Sequence, residues 1–561
     1  MPKNSRFKLS AALLSVIIFA SGCAQIPAES EAKVGPQVKT ADGTEYVYYN
    51  PQPPQLGQTA IQVVTGFINA GTGPQNDYSV ARQFLGLDFR SRWSPSDQVL
   101  VESGTPEVEI VDSTQVNVTV KVQAEVDAAG NYIDYPAAVE RVLVFKLSEE
   151  NGQMRIIDAP NLTILVRPVF DVLFSAYSLY FFDNAKQYLV PDLRWFPARA
   201  STSTRMVNSL LEGPSKWLRS AVTTPMPSGT KLAIDAVTVT QGVASVNLDT
   251  RALQANSTQL RQFKAQLSAT LKQLPNVSDV QLLVDGNIKN FQDFVPEQPS
   301  SETAYPVVLG NSVLRFANQD STIQLQVAQS LVQRVNAYDF ALSANRRELA
   351  LLGKDGLYWA KLGQIGNRLE VLDDRPKLLS PVFDHADYIW SVSREAESQI
   401  LLIGRDGKKI ELTAEWLKPY EKLDFAVSPS GSRVAFVVRH AGKTHVLVSA
   451  VARDLRGTPA KLGAPLNLTV AGLNGRSVTW VGENDIVALY NSKNVDGSLP
   501  FRSVIGGSTV SLGTTTPGVQ VLSSSAGTNI FLLGRSGSVY KYNGFTWNLI
   551  TDNVSAAHMA E

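Results

Sequence analysis

The stretch from 302 to 561 repeats itself, and the repetition narrows the possible folds more than any single motif does. Leu349-Ala-Leu-Leu-Gly-Lys-Asp-Gly-Leu-Tyr-Trp359 is echoed by Ile400-Leu-Leu-Ile-Gly-Arg-Asp-Gly407 and by Phe531-Leu-Leu-Gly-Arg-Ser-Gly-Ser-Val-Tyr540. Val434-Ala-Phe-Val-Val438 and Ile486-Val-Ala-Leu-Tyr490 fall between them. A shorter β-rich stretch precedes each core: Phe340–Ser343, Trp390–Ser393, Phe425–Ser428, Val478–Trp480 and Val519–Leu522. Gly353 to Gly534 covers four repeats, a mean period of about 45 residues, within the range of propeller blades. One such hairpin unit cannot bury its apolar face alone, so the units must stack. The pattern predicts an all-β propeller of five or six blades. Five are legible, and a weaker sixth (Val307 to Val327) would complete closure and remove exposed sheet edges. The turns agree. Lys354-Asp-Gly356, Arg405-Asp-Gly407 and Ser428-Pro-Ser-Gly431 each supply a glycine where a tight hairpin needs φ > 0.

The other end of the chain fixes its address. Lys3, Arg6 and Lys8 precede the mostly apolar run from Leu9 to Ala20, and Ser21, Gly22 and the sole cysteine, Cys23, follow. A basic head, a short apolar run and small residues before a cut site describe a secretory signal over 1–22. The run is too short for a spanning helix, which needs about 20 apolar residues. Ala20-Ser-Gly-Cys23 resembles a bacterial lipobox, with Ala where Leu is usual. That resemblance implies a diacylglycerol on the Cys23 sulfur and an acyl chain on its new amino terminus. Each buried methylene adds about 0.8 kcal/mol, so two or more chains hold firmly where one binds reversibly. The mature protein is therefore expected on the outer face of the cytoplasmic membrane, extracytoplasmic. Residues 23–58, rich in Pro, Gln, Glu and Gly and ending in Pro51-Gln-Pro-Pro54, read as the lipidated cysteine and a flexible tether.

Composition excludes some partners. Lys plus Arg and Asp plus Glu both number 51, with no basic run beyond the signal, so the electrostatic footprint of a nucleic-acid binder is missing. With Cys23 lipidated no thiol remains, and stability must come from apolar cores, which a 44% hydrophobic content can supply.

Two α+β domains are expected ahead of the repeats. In 59–166, Ile61, Val64, Phe67 and Ile68 recur at helical spacing, and Tyr78, Ala81, Phe84 and Leu85 suggest a second helix. Strand patterns follow at Val108–Val111, Val116–Val122, Val139–Leu147 and Met154–Ile157, with Asp127-Ala-Ala-Gly130 as a turn. Helices followed by a meander resemble the cystatin-like, nuclear transport factor 2-like cone, and Phe84, Trp93 and Phe145 read as its core. In 167–295, Thr202–Leu211 places Met206, Val207, Leu210 and Leu211 on one helical face that should stop at Gly213-Pro214. Leu260, Phe263, Leu267 and Leu271 line another helix, and Val243–Leu248 alternates as a strand. The ordered motifs Tyr180-Phe-Phe-Asp183, Leu189-Val-Pro191, Leu210-Leu-Glu-Gly-Pro214, Pro227-Ser-Gly-Thr230, Gly242–Asp249 and Val284-Asp-Gly286 resemble the GerMN domain of sporulation and germination proteins. Val246-Asn-Leu248 stands where that pattern has Val-Asp-Leu, so a carboxylate there is not needed for folding.

Lipobox, tether, α+β domain, GerMN domain and degenerate propeller together resemble the LpqB lipoprotein family of Actinobacteria over almost the full chain. The resemblance implies a non-enzymatic accessory role beside the extracytoplasmic domain of an MtrB-like sensor histidine kinase, bearing on cell-envelope homeostasis and division. An alternative is a binder, or weak hydrolase, of peptidoglycan or another wall carbohydrate.

No catalytic constellation emerges. There is no Gly-x-Ser-x-Gly elbow, and Ser536 falls in a repeated hairpin turn. His440 and His445 occupy two strands of one hairpin without a third ligand nearby, short of a zinc set. Asp373-Asp374 and Asp384-His385-Ala-Asp387 lack the alternation of a calcium loop and read as solvated loop tips. Trp359, Trp390, Trp480 and Trp547 read as blade core. No cofactor or metal is expected, and Cys23 is the single site residue.

Overall fold

The computed structural model describes residues 51–199, 201–298, 305–318, 326–362, 369–397, 399–412, 414–524, 527 and 529–560. The signal, Cys23 and the tether up to residue 50 lie outside the described residues.

Thr59 opens the first helix, Ala60–Ala70, by a reciprocal cap. Its backbone N–H donates to Gln62 Oε1 at 2.9 Å, while its own hydroxyl accepts from Gln62 N at 3.4 Å. Val63, Val64, Phe67 and Ala70 turn inward, whereas Ile61 is 37% exposed. The expected stripe is thus rotated, because Val63 and Ala70 set the buried face and Ile61 falls off its side. The second helix is short, Ser79–Gln83, yet Tyr78, Ala81, Phe84 and Leu85 are all buried.

The strands Gln115–Asp127 and Tyr132–Glu150 form the long hairpin expected from their alternation, and Gln153–Asp158 extends it. Gln98–Glu102 joins the other side of Gln115–Asp127, and Thr163–Val166 runs parallel to it at the edge. The sheet is therefore mixed, where sequence alternation suggested a plain meander. Trp93 packs between Phe67 (4.9 Å) and Tyr78 (6.0 Å) beneath this sheet, in one core with Phe84 and Phe145.

A helix, Arg167–Leu173, leads into the middle domain. There Phe174–Asp183 pairs with Leu189–Pro197, and a second sheet is ordered Thr238–Thr240, Val243–Leu248, Asp279–Val284, Asn287–Ile288. Helices Thr202–Glu212 and Ser257–Leu271 supply Met206, Val207, Leu210, Phe263 and Leu267 to the core between them. Gly213 stops the first helix at φ 104°. Asn247 accepts a hydrogen bond from Gly286 N at 3.0 Å, a task its neutral amide oxygen performs without a charge.

The C-terminal domain is β-propeller-like. Among the described residues, four-stranded antiparallel paths begin at Asp339–Leu342, Val382–Phe383, Glu421–Val427, Asn474–Val481 and Gly518–Ser523, the third carrying an extra strand at Leu466–Asn467. In the second, the frame is offset: Val382–Phe383 leads, and Ile389–Val392 with Trp390 is the next strand. A sixth sheet, Val313–Phe316 and Val307–Gly310, takes its third strand from the chain end, Ala556–His558, with Val307 opposite His558 and Leu309 opposite Ala556. Of the expected weak sixth unit, Val307–Gly310 and Val313–Phe316 are strands, residues 319–325 lie outside the described residues, and a segment far along the chain, Ala556–His558, supplies the third strand. The Ser428-Pro-Ser-Gly431 turn takes φ 64° at Gly431, as the hairpin requires.

Candidate functional site

The three domains meet at a small set of polar and aromatic residues. Asp127 organises the tip of the long N-terminal hairpin: its Oδ1 accepts from Ala129 N and Asn131 N, both at 2.9 Å. The tip then presents two carbonyls to the middle domain. Ala129 O accepts from Arg194 Nη1 at 2.7 Å, and Gly130 O accepts from Trp195 N at 2.8 Å. Arg194 is paired with Asp192 at 2.7 Å, both side chains 3% exposed. Asp192 also accepts from Ser215 N (2.8 Å) and Ser215 Oγ (2.6 Å), so the buried carboxylate is charge-balanced and hydrogen-bonded.

Trp195 completes the junction. Its ring stacks on Tyr132 (centroids 5.2 Å apart) and lies 5.0 Å from Phe170, and its Nε1 donates to Gly506 O of the propeller-like domain at 3.0 Å. Nearby, Arg433 Nη1 donates to Pro191 O at 3.3 Å while Nη2 donates to Glu483 at 2.6 Å. Asn184 Nδ2 donates to Arg453 O at 2.9 Å, and the Tyr188 ring meets His385 edge-on at 4.8 Å.

Beside these ties the three domains enclose a cleft of about 870 Å³. Tyr132, Ile133 and Tyr135 form one wall, Leu193, Lys216 and Trp217 a second, and Leu468, Val470 and Phe501 the third. The volume falls in the range of clefts that take small molecules or a chain segment, roughly 300–1,000 Å³. Asp134 lines it too; burial raises its carboxyl above the ordinary range, opposed by the Tyr132 hydroxyl 3.2 Å away. Burial likewise pushes Tyr132 up to about 12. These groups can hold and orient a ligand with an apolar face and polar edge.

The residues singled out from sequence fall elsewhere. Cys23 is outside the described residues. His440 and His445 flank one ring, Tyr420, at 5.5 and 6.0 Å, and His440 Nδ1 lies 3.1 Å from Pro419 O. Among the described residues no cluster of three metal-ligating side chains occurs. The reading of Asp373 and Asp384 as solvated tips is corrected. Asp373 is buried against Arg375 (2.6 Å) and Ser391, and Asp384 is buried against Arg453 (2.6 Å) and Trp390. Their cations hold both carboxyls below the usual range despite burial, which pushes the other way and is the largest single influence. Trp390 and Trp480 are buried; Trp359 and Trp547 are half-buried. The cleft itself was not legible, since Trp217 and Phe501 come from different domains and share no local period.

Three family models match this chain. Lipoprotein LpqB, N-terminal domain, covers residues 53–171; sporulation and spore germination covers 178–289; and the lipoprotein LpqB beta-propeller domain covers 314–558. Lipoprotein LpqB of Cutibacterium acnes is 25% identical over 97% of this chain and 98% of its own. The Thermobifida fusca protein of that name is 25% identical over 92% and 94%. Among solved structures, TolB from Acinetobacter baumannii covers 46% of this chain and 65% of its own, at 13% identity and a TM-score of 0.35.

Proposed function

The chain belongs to the LpqB lipoprotein family, and from that premise we propose a membrane-anchored, non-enzymatic accessory regulator of an MtrB-like two-component sensor histidine kinase. Lipid on Cys23 holds it to the outer face of the cytoplasmic membrane, where it touches the kinase's extracytoplasmic domain and influences envelope homeostasis and division. Confining both partners to one membrane raises their effective concentration, so a weak interface suffices. In this reading the N-terminal domain is a nuclear transport factor 2-like cone.

The observation that supports the reading best is the junction around Trp195. A cleft whose walls come from three tied domains changes shape only when the domains shift together, so a partner seated there can favour one arrangement over another. Titration of the purified chain with the soluble kinase ectodomain should saturate, and Trp217→Ala should weaken it by at least about tenfold, as for a central aromatic anchor. Absence of saturable binding, together with unchanged kinase output on deletion, overturns the reading. Mass spectrometry of the mature amino terminus tests the anchor separately.

The aromatic rings of Tyr135, Trp217 and Phe501 in a polar-edged cleft also favour a wall-carbohydrate binder. Co-sedimentation of the purified chain with cell-wall polymer, lost in Trp217→Ala, would establish that reading instead.

A further inference from the structure

The middle domain meets one end of the blade strands. Its contacts fall at the start of Arg433–His440, the end of Lys443–Arg453 and the turn at Gly506. The opposite end of the same strands carries a group of arginines. Arg394 lies in the turn after Ile389–Val392, and its carbonyl accepts from Lys422 N at 2.9 Å, at the start of Glu421–Val427. Asp424, on that strand, accepts from Val478 N of the next sheet at 3.0 Å. The strand containing Val478 begins with Arg476 standing out of register: Gly475 pairs with Tyr490 and Ser477 with Leu489, leaving Arg476 unmatched. A bulge of this kind re-aims a side chain. Ser477 Oγ in turn accepts from Val521 N of the following sheet, whose hairpin holds Arg535 against Pro517 O at 2.8 Å. Three adjacent sheets and the turn beside them thereby bring Arg394, Arg476 and Arg535 to one end.

Acids answer these charges only in part. Glu421 lies 3.5 Å from Arg394 but is shared with Arg439 at 3.2 Å, and Glu395 pairs with Lys377. Arg476 and Arg535 form no ion pair among the described residues, and the half-buried Arg476 keeps a buried Nε without a partner. Burial, then the like charges of Arg535 and Arg394, hold the Arg476 guanidinium below its ordinary value, opposed by Asp424. Such an arrangement is costly empty and favourable with an anion bound.

The geometry points to a phosphate-binding site on the propeller-like domain, at the end away from the middle domain, with Arg476 and Arg535 as its principal donors. A guanidinium fork matches two phosphate oxygens, which a carboxylate-paired arginine cannot offer as freely. The phosphate could belong to a soluble phosphate compound or to a lipid headgroup.

The test uses the full chain carrying Cys23→Ser, so that no acyl anchor attaches it to vesicles. Calorimetric titration with inorganic pyrophosphate probes the soluble source. Flotation with phosphatidylcholine vesicles, with and without phosphatidylglycerol, probes the lipid source. Saturable binding in either arm should weaken about tenfold in Arg476→Gln and in Arg535→Gln, the loss of a hydrogen bond to a charged group, and recover substantially in Arg535→Lys. The exposed Arg456→Gln, at a distant hairpin, should bind as the parent does. Arg535→Gln leaves a surface turn intact, so its loss of binding with an unchanged melting temperature reports the site and not folding. No binding in either arm, or binding that both glutamine variants retain, overturns the proposal.

Discussion

Trp195 of the middle domain donates its indole N–H to the Gly506 carbonyl of the propeller-like domain at 3.0 Å. The same ring stacks on Tyr132 of the N-terminal domain, so one side chain touches all three. Trp195→Phe should keep most of the stacking and lose the donor, costing about 1 kcal/mol. Trp195→Ala should cost about 3 kcal/mol, at the low end for a large aromatic because the ring is only half-buried. Hydrogen–deuterium exchange should rise at Asp127–Asn131 in the alanine variant. Unchanged exchange there would show that the junction does not depend on this ring.

Asp192 and Arg194 test the same junction by charge. Removing only the carboxylate, Asp192→Ala, strands a buried guanidinium and should destabilise by about 3–5 kcal/mol. Replacing both, as in Asp192→Leu with Arg194→Met, should cost distinctly less, because no bare charge is left behind. Denaturant melts of the two variants decide this. A double variant worse than the single would mean the pair is worth more than its desolvation.

His385 makes stability depend on pH. Burial, then the Arg453 charge, lowers it from 6.5 to about 4 in the folded chain, while Asp384 pulls the other way. The unfolded chain therefore binds the extra proton first. The stability tied to neutral His385 is complete above about pH 6.5 and is lost progressively as pH falls toward 4, by about 3 kcal/mol in all. Asp384, with its lowered value, loses its contribution only below the ordinary carboxylate range. His385→Asn should flatten the limb between pH 6.5 and 4 and leave the more acidic limb in place. A ring titrating near 6.5 by NMR would remove the effect.

How much of this was legible follows from where each signal resides. The hairpin cores at Leu349–Trp359 and Phe531–Tyr540 carry their strands and their turn glycine in one short stretch, so the repeated unit could be read directly. Val116–Val122 alternates strictly, and its strand is where alternation put it. Thr163–Val166 has no such alternation because it is covered differently along its length, and its parallel pairing is set by tertiary contact. Asp384 looked like a loop acid because its partner, Arg453, is 69 residues away. Ala556–His558 has too few residues for any period. Long-range partners, edge pairing and a cleft shared between domains leave little mark on a local window.

That last strand gives the sharpest test of how the propeller-like domain holds together. Ala556–His558 covers one edge of Val307–Gly310, whose residues Val307, Val308 and Leu309 are almost wholly buried. His558 Nε2 also lies 3.1 Å from Asp339 Oδ1 in the next sheet, so the strand ties the first and last parts of the ring to a third point. Ending the chain after Ser555 removes those pairings and leaves an unpaired strand edge beside exposed apolar surface, a template for association. The truncated chain should melt several degrees lower and elute as larger species in size-exclusion chromatography. His558→Ala keeps the strand and deletes the contact to Asp339 together with the edge-on packing against Phe340 at 5.3 Å, so it should remain monodisperse and lose about 2 kcal/mol. If the truncation behaved like the full chain in both measurements, closure by the chain end would not be what secures the ring.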